Sequence, residues 1–155
     1  MTGWQKGRAD IEQLLANGDL DRVQPSGDLT NRLLDEAAAH IDTAHAAIDD
    51  DPTGALQIGY DAARKAAIAL LAAQGLRGTT EGGHRAIAAA AAAQFNGTFD
   101  RLERMRRRRN AAEYPDIDTP EVTDDDARDA IEAAQRMYDA AVEIINSGKL
   151  GVFDT

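Results

Sequence analysis

Between Leu33 and Ile48 the apolar residues Leu33, Leu34, Ala37, Ala38, Ile41, Ala44, Ala47 and Ile48 recur three and four positions apart. That is the spacing of one helix face, and no strand shares it. The period returns from Ala55 to Leu71 and again from Ala130 to Ile145. Alanine carries much of it, at 31 of 155 positions, while aromatics make up only 5%. An interior of small side chains favours helices in close contact over a sheet built from β-branched and aromatic residues. The expectation is an all-α bundle of five to six helices with an up-down core, at a length suited to one domain.

Punctuation places the elements. A first helix is expected from Trp4 to Ala16, ended by Asn17-Gly18, and a loop over 18–28, with Leu20 and Val23 pinned onto the body. The second helix starts near Asp28 or Thr30 and stops in Asp49-Asp50-Asp51-Pro52. Pro52 opens the third, which runs to Gln74 before Gly75. Its apolar positions wrap most of the circumference, which puts it at the centre. Arg77–Gly83 reads as a turn, and an alanine helix follows from His84 to Phe95. A fifth helix is expected from Thr98 to Glu113, where Pro115 disfavours α geometry at Tyr114. The last spans Asp124–Asn146. A segment 1–28 thus leads into a core bundle over 29–147, with a short tail 148–155 that docks or stays loose.

Cysteine is absent, which removes disulfides, thiolate metal sites and cysteine nucleophiles together. The longest apolar run, Ala86–Ala93, is far too short to cross a bilayer, so no membrane role is expected. Met1–Trp4 continues into charged residues, not an apolar signal, and the expectation is a cytoplasmic protein. The net charge is −10, yet Arg101, Arg104, Arg106, Arg107, Arg108 and Arg109 stand within nine residues with one acid, Glu103. A globally acidic chain does not attract nucleic acid in bulk, so an anion must be handled at that cluster, unless the run is a solvated face or docks an acidic partner.

The three histidines, His40, His45 and His84, do not form a metal-ligand spacing, and no metal or other cofactor is called for. The aspartate triplets 49–51 and 124–126 sit at helix starts, where the dipole accounts for them. The run Arg106-Arg107-Arg108-Arg109-Asn110-Ala111-Ala112-Glu113-Tyr114-Pro115 is different. It puts a cationic face at the end of a helix, then an Asn, an acid and a Tyr at its exit. Tyr60 is expected to pack in the core with its hydroxyl at the bundle edge. Arg64 is expected to pair with a carboxylate such as Glu36 or Glu132, and His84 to cap or hydrogen-bond at a helix start.

This run resembles the motif of the HEPN superfamily (higher eukaryotes and prokaryotes nucleotide-binding), small all-α bundles marked by an Arg, usually a polar residue such as Asn, a short spacer and a His. The resemblance covers most of the chain. Tyr60–Ala66, Ala69-Leu70-Leu71 and Gly75-Leu76-Arg77 look like the family's central helix, and Gly83-His84 looks like the opening of its next one. Arg109 and Asn110 match the motif's first two residues, and Tyr114 stands where active members carry His; no His follows His84. The resemblance implies a homodimer with the arginine helix at or beside the two-fold axis. It further implies one of two functions. The first is a toxin-like, metal-independent ribonuclease acting on RNA at a dimer cleft through Arg109, Asn110 and Tyr114, with Arg104, Arg106, Arg107, Arg108 and His84 on the phosphates. The second is a non-catalytic module binding a nucleotide, a nucleic acid, or an antitoxin or nucleotidyltransferase partner. Tyr114 is read as a functional position whose hydroxyl contacts phosphate or accepts a modification. The alternative is a ring packed on the last helix near Met137 or Tyr138.

Overall fold

The structure, a computed structural model, describes residues 4–80 and 82–153. The described residues form six helices: α1 Arg8–Ala16, α2 Gly27–Ala47, α3 Pro52–Gln74, α4 Gly83–Gln94, α5 Leu102–Glu113 and α6 Asp124–Ser147. The all-α bundle expected from the periodicity is what the chain adopts. Among the described residues no helix is long and apolar enough to cross a membrane. The reading of Met1–Trp4 falls, for its first three residues, outside the described ones.

The helix ends follow local chemistry. Ser26 Oγ accepts from Leu29 N at 3.1 Å and starts α2 one residue before Asp28. Asp51 Oδ1 accepts from Gly54 N and starts α3, with Pro52 at its first position. Thr123 and Asp126 cap each other's backbone at the start of α6. Three expectations need correction. The first helix begins at Arg8, because Gly7 takes a left-handed φ of 73°, and Trp4 instead stacks near Phe95. The fifth begins at Leu102, because Gly97 and Asp100 hold the chain in a turn through Phe99. Two short strands also form where loop and turn were expected: β1, Leu20–Arg22, pairs antiparallel with β2, Leu76–Gly78, Leu20 facing Gly78 and Arg22 facing Leu76.

The core lies around α3, which contacts α2, α4, α5, α6 and β2. Thirteen of its residues are buried and seven of those are alanine, so its neighbours approach its backbone closely. The tail docks: Phe153 is buried, its N–H donates to Gln74 O at 2.9 Å, and its carbonyl accepts from Arg22. Gly75, at φ 79°, turns α3 into β2 while its carbonyl accepts from Val23 N at 2.8 Å.

A Cβ at Gly75 would lie 2.8 Å from Val23 O, whereas one at Gly83, also left-handed (φ 51°), meets open space. Gly83→Ala should cost only the backbone penalty of about 1–2 kcal/mol. Gly75→Ala should cost more and loosen the β1–β2 pair. Chemical denaturation of the two variants measures the difference directly, and equal losses would contradict the close approach.

Candidate functional site

A helix turns about 100° per residue, so six arginines in nine positions cannot share one face. α5 lies on α3 with α4 beside it, and Leu102 and Met105 are buried against the core. Arg106 and Arg109, one turn apart, come to the side of α3 and α4. Arg101, Arg104 and Arg108 line a cavity floored by α3 and bounded by α6. Arg107 points outward and shares Glu103 with Arg106. The structure therefore distributes the expected single arginine cluster over two sides of one helix.

On the first side three helices converge. Tyr60 of α3 is 1% exposed, and its hydroxyl lies 3.1 Å from Nδ1 of His84, the second residue of α4. Arg64, one turn on from Tyr60, joins Arg106 and Arg109 in acting electrostatically on both rings. Burial pushes the Tyr60 hydroxyl up to about 12, with the three guanidiniums opposing it in part. It therefore keeps its proton at neutral pH. The hydroxyl and Nδ1 share one hydrogen bond, donated by the hydroxyl when the neutral His84 ring carries its proton on Nε2 and accepted by it when the proton sits on Nδ1. Burial, reinforced by Arg64 and Arg109, lowers the His84 pKa and keeps the ring neutral.

Each arginine of this side has an acid on its own helix. Asp61 lies 3.6 Å from Arg64, Glu103 takes two bonds from Arg106 at 2.6 and 2.9 Å, and Glu113 pairs with Arg109. The pairing of Arg64 with Glu36 or Glu132 is thereby corrected: Lys65, the next residue round the helix, takes Glu36 at 3.3 Å and meets His40 at 2.9 Å. These acids leave donors over. The Nε of Arg64 and the Nε of Arg109 are both buried with no hydrogen-bond partner among the described residues. A buried unmade hydrogen bond costs about 1–3 kcal/mol, so the site is short of an acceptor.

The remaining expected residues stand apart. The Asn110 side chain has no partner among the described residues. Tyr114 ends α5 and is 76% exposed, its N–H donating to Asn110 O at 3.0 Å and its hydroxyl unbonded among the described residues. That exposure excludes the ring packed on α6. The sequence presents Tyr60 as a core ring and Arg64 as an ion-pairing side chain, and the signal for their place here is their i, i+4 spacing on a helix rich in alanine. A further cavity of about 390 Å³, lined by Val23, Leu29, Leu71 and Ile87, is mostly apolar and holds no part of this constellation.

A family model described as HEPN domain matches residues 30–145. No curated protein and no solved structure matches the chain.

The folded protein binds the His84 proton less readily than the unfolded chain, whose value is 6.5. Stability contributed by His84 is therefore full above about pH 6.5 and is lost as pH falls through the lower folded value. Denaturation midpoints of the wild type and His84→Gln should converge, or reverse order, on acidification from pH 8. A gap that widens in acid would contradict the assigned direction.

Proposed function

The chain belongs to the HEPN family, and on that premise we propose that it binds the phosphate of a nucleotide or of RNA where Tyr60, Arg64, His84, Arg106 and Arg109 converge. One observation carries the reading. Two guanidiniums from different helices keep buried Nε donors without a partner among the described residues, beside His84, while their charges are already balanced by acids. Such a site needs acceptor oxygens more than bulk negative charge, and a phosphodiester supplies them in bidentate geometry. Tyr60 holds the His84 ring in place from the bundle core.

A catalytic reading is favoured by the placement of His84: burial, with Arg64 and Arg109 nearby, lowers its pKa and so favours the neutral ring that a base requires. In ribonuclease chemistry a base removes the ribose 2′-OH proton and a cation stabilises the phosphorane. His84 takes the base role in the tautomer that carries its proton on Nδ1, bonded to the Tyr60 oxygen, which leaves Nε2 to accept. Arg109 supplies the cation. Asn110 and Tyr114 lie at the exit of the same helix, where Tyr114 is available to a second copy, an RNA strand or a modifying nucleotidyltransferase. A homodimer fits the exposure of Tyr114 and of Ile117, which is 99% exposed in the loop after α5.

Sulfate is the discriminating probe for the first reading, because its charge is constant where His84 titrates. Its affinity should rise as pH falls from about 8 to about 5.5, since a bound anion favours the protonated ring. His84→Gln should flatten that dependence, and Arg64→Gln and Arg109→Gln should weaken binding at every pH. Sulfate binding indifferent to Arg109→Gln would sink the proposal. The catalytic reading demands cleavage of RNA in EDTA, leaving 2′,3′-cyclic phosphate ends, abolished by Arg109→Ala and by His84→Ala. A folded protein that leaves RNA intact would reduce the chain to a binding module.

Light scattering tests the dimer separately. A dimer mass at tens of micromolar is expected, shifting towards monomer in Ile117→Asp. A wild-type monomer at that concentration would contradict it.

A further inference from the structure

α5 and α6 both lie on α3, and the side of α5 that faces α6 is made of arginines where an apolar stripe would have closed the gap. A cavity of about 260 Å³ remains between them. Its floor is apolar, formed by Leu56 of α3, Met105 of α5 and Ala130 of α6, with the Tyr60 ring as the wall towards His84. The two sides are polar and of opposite sign. Arg108 is tied across to Asp126 at 3.5 Å, which fixes the width of the gap. The other charges are uncommitted. Arg101 has a buried Nε without a partner, and Arg104 and Asp129 make no ion pair or hydrogen bond among the described residues.

Uncommitted cations on one wall and a carboxylate on the other select a ligand with an anion at one end and hydrogen-bond donors at the other. The apolar floor adds a requirement for flat, weakly polar faces, and the volume limits the inserted part to about one ring system. We infer that this cavity takes a nucleobase with an exocyclic amino group, its edge donating to Asp129 and its phosphate held by Arg101 and Arg104. Carboxylates accept from the amino groups of cytosine, adenine and guanine, whereas uracil offers only its ring N3–H, flanked by two carbonyl oxygens that repel a carboxylate. The cavity thus prefers the amino-bearing bases over uracil. It rests on the phosphate-binding reading for the class of ligand and not for its own geometry, and Tyr60 is the one side chain the two places share.

Calorimetric titration with cytidine, adenosine, guanosine and uridine 5′-monophosphates tests the preference on the full chain. The three amino-bearing nucleotides should bind, and uridine monophosphate roughly tenfold or more weakly. Asp129→Asn should remove most of that difference, because an amide presents both a donor and an acceptor. Arg101→Gln and Arg104→Gln should weaken all four alike, with circular dichroism confirming the fold. Equal binding of all four by the wild type, discrimination that survives Asp129→Asn, or no mononucleotide binding by the folded protein would overturn the inference. Should sulfate still follow His84 and Arg109 in that event, this pocket fails alone. Should the nucleotides discriminate while sulfate ignores Arg109, the phosphate reading fails and the pocket stands.

Discussion

The burial of α3 on nearly every side is the constraint on which the rest of the structure depends. A helix with neighbours all round must present small side chains, and α3 does so with a run of alanines that lets α2 and α6 approach its backbone. That leaves little room for polar groups, so those it carries are placed by necessity. Tyr60 reaches His84, Arg64 emerges towards α5, and Lys65 is taken up by α2 through Glu36 and His40. Gln74, at its buried end, exchanges hydrogen bonds with Gln94 of α4, which ties the two helices together at the end of α3 away from Tyr60.

The second constraint is the helical turn itself. Charge density in the sequence suggested one cationic face, but α5 rotates its arginines between two environments. On the α4 side the guanidiniums are paired by acids of their own helices, which lowers the Glu103 pKa through its bonds from Arg106 and leaves specific donors over. On the α6 side the arginines meet an apolar floor and the aspartates of the α6 start. The same residue type therefore meets two environments, one of acids on the arginines' own helices and the other of an apolar floor facing aspartates, with buried Nε groups left without a partner in both among the described residues. Net charge predicts neither, because at these distances the identity of each neighbour outweighs the long-range field.

Much of the fold was legible in the sequence because its signals are local. Pro52 with Asp51, Gly75, Thr123 with Asp126 and the 3.6-residue period of Leu33–Ile48 each act within a turn of helix, and each element appears close to where those signals put it. The misses were also local, but subtler. The β1–β2 pair is only three residues long on each strand, too short to show alternation, and it forms because Gly75 and the buried Leu20 bring distant segments together. The late start of α5 depends on a turn at Gly97 that apolar spacing does not report, since Phe99 is buried whether helical or not.

By itself the sequence determined the helix set, the central position of α3, and membership of the HEPN family, whose model matches residues 30–145. These follow from periodicity, capping and motif, which are properties of neighbouring residues. Only the tertiary structure decided which arginines stand together, that Arg64 faces Asp61 and the site rather than Glu36, and that His84 of a different helix meets Tyr60. It alone left Tyr114 in solvent and opened the gap between α5 and α6. The physical reason is that a side chain's partners depend on how far each helix is rotated about its axis when it packs, and that rotation is set by the sum of all its contacts.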